Sequence, residues 1–126
     1  MPHARQRTGA LAEQLVADRL AAAGWQIVAR NARTRFGELD LVALDNRTLV
    51  FVEVKAGREG NDFGPERPVL SVDRRKQLRV RRLATAWIAE RRGSIPRYDE
   101  IRFDAVGVTF SRTGRVTAVE HIEGAF

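Results

Sequence analysis

Two short stretches of this sequence hold the residues whose types and spacing could do chemistry, Gly37-Glu38-Leu39-Asp40 and Phe51-Val52-Glu53-Val54-Lys55. Both lie in β-forming runs, and each sets its charged side chains two residues apart. Side chains alternate across a strand, so Glu38 and Asp40 share one face of the first run, and Glu53 and Lys55 share one face of the second. Asp45-Asn46-Arg47 between them reads as a turn. With Asn46-Arg47 as a two-residue loop, positions whose numbers sum to 93 lie opposite each other, which sets Asp40 across from Glu53 and Glu38 across from Lys55. All four then point the same way, and any even-numbered loop keeps that parity.

Carboxylates directly opposite on a sheet repel by about 0.2–1 kcal/mol, so the pair needs either full exposure or a compensating cation. Mg²⁺ or Mn²⁺ suits the second case, because each accepts a few carboxylate oxygens, keeps several waters and bridges to phosphate. Lys55, on the same face, is placed to position or activate an attacking water, or to stabilise charge developing on phosphorus. The chemistry implied is metal-assisted hydrolysis of a phosphodiester. A lone Glu-x-Lys would read as an exposed ion pair; Asp40 beside it turns the reading toward a metal site.

The whole sequence agrees with an anionic substrate. Its 126 residues suffice for one domain, 1–126, with one core. Lys and Arg outnumber Asp and Glu by 22 to 16, a net charge of +6, which favours nucleic acid or a membrane surface as partner. Charge balance alone does not choose between those; no apolar run is long enough to span a bilayer, and the expected partner is nucleic acid, DNA, with no membrane. The absence of cysteine removes disulfides, thiol catalysis and cysteine-based metal sites, and the two histidines, His3 and His121, stand near opposite termini. No export signal is visible in the basic start, which places the protein in the cytoplasm.

The elements that must position these residues follow from periodicity. Thr8 to Ala23 reads as a first helix, with Thr8 as its cap and Gly24 as its exit; Leu11, Ala12, Leu15, Val16 and Leu20 fall on its apolar half and Glu13 just past the edge. Trp25 to Ala29 reads as a short strand, followed by the hairpin Gly37–Leu44 and Thr48–Lys55. Gly57 to Pro68 reads as a surface loop; its glycines, Gly57, Gly60 and Gly64, form neither a Walker loop nor a dinucleotide fingerprint. A second helix, capped by Ser71 or Asp73, should run to about Arg92 with Val72, Val80, Leu83, Ala84, Trp87 and Ile88 inward. The segments Glu100–Phe110 and Val116–Ile122 read as a second hairpin. The expected fold is α/β, in the order α, β-hairpin, α, β-hairpin, with a mixed central sheet flanked by helices.

The second helix carries Arg74, Arg75, Lys76, Arg79, Arg81 and Arg82 within nine positions, with no acidic neighbours at helical spacing apart from the distant Glu90. A phosphate-binding surface is the preferred reading, with Lys76, Arg74, Arg75, Arg79 and Arg82 as its residues. Lys76 lies on the apolar stripe, where a lysine either snorkels to the surface or, if the helix packs over the hairpin, reaches substrate phosphate beside the carboxylates. His121 reads as a surface strand residue rather than a general base, and Trp25, Trp87, Phe51 and Phe103 as core.

Asp40, Glu53, Val54 and Lys55 across a hairpin resemble the signature of the PD-(D/E)XK nuclease superfamily, with Gly-Glu-Leu-Asp in place of its Pro-Asp half. Gly9, Glu13, Ala17, Leu20, Gly24, Arg30-Asn31-Ala32-Arg33, Gly37-Glu38-Leu39-Asp40, Phe51-Val52-Glu53-Val54-Lys55, Phe63-Gly64-Pro65, Val72 with Lys76, and Arg102-Phe103-Asp104 resemble the YraN-like bacterial family over nearly the whole chain. The resemblance implies a restriction-endonuclease-like fold related to archaeal Holliday-junction resolvases. It also implies that Glu13 joins Asp40 and Glu53 at the metal. The catalytic set is then Asp40, Glu53, Lys55 and Glu13, with Glu38 supporting the ligands. The expected function is metal-dependent hydrolysis of DNA phosphodiesters, including branched or repair intermediates, and a homodimer is compatible with it. Two rival readings stay open: a non-catalytic nucleic-acid-binding module with a nuclease fold, and an accessory domain that binds an acidic protein.

Overall fold

The computed structural model describes residues 4–60 and 67–126; His3 and the Phe63-Gly64-Pro65 segment lie outside the described residues. The elements run α1 (Ala4–Ala22), β1 (Gln26–Thr34), β2 (Gly37–Asp45), β3 (Thr48–Arg58), a 3₁₀ turn (Pro68–Ser71), α2 (Arg74–Glu90), β4 (Glu100–Phe110) and β5 (Val116–Ile122). The five strands form one sheet in the order β1-β2-β3-β4-β5. β1, β2 and β3 make an antiparallel meander, β4 lies parallel to β3 after the α2 crossover, and β5 returns antiparallel to β4. The fold is mixed α/β, a five-stranded central sheet with two helices, consistent with the restriction-endonuclease-like architecture.

The helices cover opposite faces. Ala12, Val16, Ala17 and Leu20 of α1 pack on Leu41, Val50, Val52, Val106 and Val108. Val80, Leu83, Ala84 and Trp87 of α2 pack on Val42, Leu49 and Phe51. Each large buried side chain contributes roughly 1.5–3 kcal/mol, so both helices are held by tertiary burial more than by propensity. Leu11, expected on the inner half of α1, is exposed, because the contact centres on the i, i+4 row of Ala12, Val16 and Leu20.

Several boundaries differ from the sequence reading. α1 begins at Ala4, so Thr8 lies inside it, where Arg58 donates to its hydroxyl. Its exit does fall at Gly24, whose φ of +94° lets the Trp25 amide reach back to the Leu20 carbonyl. β1 extends to Thr34 instead of stopping at Ala29, because Arg30, Ala32 and Arg33 pair with Leu41, Leu39 and Glu38. β3 runs on to Arg58, its last three residues pairing with Val108, Thr109 and Phe110 of β4.

Pro68, the expected end of the surface loop, opens the 3₁₀ turn, where a missing N–H costs nothing. That turn lies flat on β3 and β4 because of two glycines. A Cβ on Gly57 would stand 2.6 Å from the Pro68 ring, and one on Gly107 would stand 2.6 Å from the Val69 amide nitrogen. Gly107 is the β4 partner of Lys55. The close approach therefore delivers the start of α2, capped by the Asp73 side chain on the Lys76 amide, to the neighbourhood of Lys55.

Candidate active site

The β2–β3 ladder pairs Asp45 with Thr48, Val42 with Phe51 and Leu41 with Val52, all summing to 93, so the turn is the Asn46-Arg47 loop. Asn46 adopts a φ of +56°, which asparagine tolerates. Pairing stops at Leu41 and Val52, one step short of Asp40 and Glu53. Beyond that point the Val54 amide donates to Asp40 Oδ2 at 2.8 Å. A carboxylate thus takes the donor that the opened ladder leaves without a backbone partner, and the site forms in the opening.

A pocket of about 230 Å³ gathers Glu38, Asp40, Glu53 and Lys55 with Lys76, Arg79, Val80 and Leu83 of α2. Lys55 Nζ lies 3.4 Å from Glu53 Oε1. Burial pushes the Asp40 carboxyl up to about 6, against the pull of the Val54 amide, with the Glu13 charge adding to the rise. Burial, then the charge of Asp40, pushes Glu53 up to about 7, although Lys55 draws it down. Asp40 lies close enough to Glu53 and Glu13 for their negative charges to raise one another's carboxyls. Carboxylates crowded in this way repel, so the cluster is short of positive charge.

Glu13 reaches this cluster from α1, half-buried and raised from its ordinary value chiefly by burial. Asn31, a residue that the motif reading gave no role, fixes it. Asn31 holds a φ of +47° at the step of β1 that faces Asp40 and is skipped by the pairing. With its amide oriented by the network, its nitrogen donates to Glu13 Oε2 at 2.9 Å and to Glu38 Oε1 at 3.2 Å. The available signal was an asparagine inside a strand, the β-branch-free residue that best accepts a left-handed backbone.

The basic residues of α2 separate into groups. Lys76 and Arg79 line the pocket, and Lys76 is lowered from its usual value by burial and then by the neighbouring Lys55. Arg82 stacks on Phe36, and Arg81 turns the other way, over Phe103 and Phe126. Arg74 and Arg75 are exposed in the first turn and do not line the pocket. His121 sits on β5 with Nε2 2.8 Å from Oδ2 of the buried Asp104, which Arg102 and the Gly124 amide also hold. That cluster borders the α1 face, away from the carboxylate pocket, and its hydrogen bonds draw the Asp104 carboxyl below its ordinary value despite burial, which is the largest influence and opposes them.

Among the described residues no three His, Asp or Glu side chains stand as a ready ligand set. By donor chemistry, however, Asp40, Glu53 and Glu13 fit a hard divalent cation: they are oxygen donors, partly desolvated, and crowded so that each raises the need for a positive neighbour. No described helix is long and apolar enough to cross a membrane.

A mixed sheet whose parted central strands present paired carboxylates and a lysine defines the class, an α/β domain with an acidic pocket walled by a basic helix. The chain belongs to the uncharacterised protein family UPF0102, whose model matches residues 12–108. It is 44% identical over 122 residues to a UPF0102 protein of Nocardia farcinica, covering 97% of this chain and 91% of that one. A UPF0102 protein of Moorella thermoacetica is 43% identical over 126 residues with both chains covered fully. One from a Parafrankia strain is 46% identical over 124 residues, covering 96% of this chain and 97% of that one.

Proposed function

We propose that this protein is a metal-dependent endonuclease of the PD-(D/E)XK class that hydrolyses DNA phosphodiesters, branched or repair intermediates among them, in the cytoplasm. The observation that carries the reading is the gathering of Asp40 and Glu53 with Lys55 and Lys76 in one pocket, Lys55 Nζ 3.4 Å from Glu53. Asp40 and Glu53, with Glu13 from α1, would hold Mg²⁺ or Mn²⁺. When bound, such an ion supplies Lewis-acid polarisation of a phosphate and a more acidic water. The chain's own residues do the rest. Lys55 sets an ammonium beside Glu53, where it orients a nucleophilic water or meets charge developing on the phosphate. Lys76 and Arg79 supply fixed positive charge on the opposite wall to seat the phosphate. Asn31 restrains Glu13 and Glu38 by donating to both.

The start of α2 supports an anionic ligand independently. Arg74, Arg75 and Lys76 crowd its first turn, which holds no acidic residue, so three cations oppose the helix dipole. An arriving phosphate relieves that opposition. The lack of a ready three-ligand set favours a second reading, a nucleic-acid-binding module of the same fold that does not cut.

Labelled linear, flapped and four-way DNA incubated with and without Mg²⁺ or Mn²⁺ separates the two. The nuclease reading expects metal-dependent cleavage that Lys55→Ala reduces by at least about 100-fold while DNA affinity stays near wild type, a loss confined to the transition state. Cleavage by Lys55→Ala at the wild-type rate refutes it. Salt-sensitive binding with no metal-dependent cleavage supports the binding module.

A further inference from the structure

Phe36 is the only exposed aromatic among the described residues, with 48% of its surface open to solvent. It stands at the β1–β2 turn, and its presentation is rigid. The Thr34 hydroxyl accepts from the Phe36 amide at 3.0 Å and donates to the Gly37 carbonyl at 2.9 Å, and the Arg35 amide donates to Glu90 of α2 at 3.3 Å. Gly37 closes the turn at a φ of +145°, with an Arg79 nitrogen 3.3 Å from where a Cβ would lie. The guanidinium carbons of Arg35 and Arg82 stand 4.9 and 5.1 Å from the Phe36 ring centre. Beside this stack opens a cleft of about 510 Å³ lined by Thr85, Ala86, Ala89 and Glu90 of α2, with the Glu90 carboxylate engaged by the Arg35 amide.

The stack is continuous with the carboxylate pocket. Lys76, Arg79 and Arg82 follow one another at i, i+3, i+6 along α2; Lys76 and Arg79 line the pocket, and Arg82 reaches Phe36. Six residues of helix cover about 9 Å, the length of about two to three nucleotides of stacked strand. A row of cations that ends at an aromatic face with guanidiniums around it matches a polyanion that carries flat π-systems. A protein partner for an exposed aromatic would instead need an acidic rim opposite three arginines.

We infer that Phe36 is a stacking platform for an unpaired nucleobase, bound in the cleft two to three nucleotides from the phosphate held at Lys76. This rests on the nucleic-acid reading above and deepens it, for it names the substrate feature: a strand with an unstacked base near the attacked phosphate, as at a gap, flap or junction. Arginine planes and aromatic rings both stack on bases, so a base seats on the ring in place of one of the two exposed guanidiniums, which then lies against the base. A base locked in a continuous duplex cannot reach the platform.

The test uses the full chain in EDTA, so that no cleavage occurs, with an oligonucleotide carrying one 2-aminopurine either single-stranded or fully paired. Wild-type protein should quench the fluorescence of the single-stranded probe and leave the paired probe unquenched. Phe36→Ala should abolish the quenching and weaken single-strand binding about tenfold or more, while duplex affinity stays within about twofold. Phe36→Trp should keep both quenching and affinity, which shows that an aromatic face and not the fold is at issue. Unchanged affinity in Phe36→Ala, an equal loss on duplex, absence of quenching, or no binding at all by wild type overturns the inference. Stacking without cleavage in Mg²⁺ would leave the platform standing and remove the nuclease; metal-dependent cleavage by Phe36→Ala with wild-type affinity would do the reverse.

Discussion

If Asp40 and Glu53 are kept for chemistry, the metal-free protein should be more stable without one of them. Both carboxyls are raised on folding, Asp40 from 3.8 to about 6 and Glu53 from 4.5 to about 7. Between pH 4 and 7 the folded state therefore binds more protons than the unfolded state, and stability falls as pH rises through that window. Independent shifts of this size would cost roughly 3 kcal/mol each above pH 7. Part of the Glu53 shift comes from the charge of Asp40, so the pair's cost is less than the sum, and removing Asp40 should recover on the order of 2 kcal/mol. Asp40→Asn is the informative change, because its amide oxygen still accepts from Val54 while the charge facing Glu53 is gone. At about 3–5 °C per kcal/mol for a chain of this length, Asp40→Asn in EDTA at pH 8 should melt about 6–10 °C above wild type. The gap should close toward pH 5, where wild type itself takes up protons. Calorimetric melts of both proteins across pH 5–8 decide it. A variant that melts at or below wild type at pH 8, or a gap that does not change with pH, would refute the reasoning.

Other outcomes follow from the same geometry. Millimolar Mn²⁺ or Mg²⁺ should raise the melting temperature modestly, and more at pH 8 than at pH 5.5, since the cation displaces protons from raised carboxyls; Asp40→Ala should abolish the increment, and an unchanged one would place the ion elsewhere. Arg79→Ala combined with Arg82→Ala should weaken DNA binding across sequences and lower the slope of log affinity against log salt by about 2, measured by anisotropy titration at several salt concentrations; an unchanged slope would remove these side chains from the interface. Asn31→Gly should relieve the left-handed backbone yet free Glu13 and Glu38, so metal affinity should fall while the melting temperature holds to within a few degrees; Asn31→Ala should lose both, with about 1–2 kcal/mol of strain added.

Local chemistry explains what could be read in advance. The Asn46-Arg47 loop determines the hairpin register by itself, Asp73 caps α2 on the residue three along, and apolar period places Val80, Leu83, Ala84 and Trp87 inward. These depend on neighbours in sequence. The point where the β2–β3 ladder opens does not, because it is decided by what stands on each side: β1, whose Asn31 breaks the pairing opposite Asp40, and β4, which holds β3 in register to Arg58. The same holds for the 3₁₀ turn over Gly57 and Gly107, a contact between segments that periodicity cannot connect. Phe36 carries no such signal, because a single aromatic beside a turn has no period at all.

The opening of the ladder also bears on whether the carboxylate cluster is a remnant. A purely structural end to the β2–β3 pairing needs one acceptor for the Val54 amide, and a neutral asparagine would serve. Glu53 does nothing for the backbone there; it is desolvated, faces a like charge and is balanced only in part by Lys55. Selection for stability alone would replace such a pair, because substitutions that remove buried repulsion are among the easiest stabilising changes to find. Asn31 sharpens the point, since it adopts a left-handed backbone in order to aim its amide at Glu13 and Glu38. Local rules broken together around one pocket, with no stabilising return of their own, are what a functional site shows and a purely structural strand end does not. The Asp40→Asn melt therefore measures more than a pKa: it measures how much stability the fold gives up to keep two acids side by side.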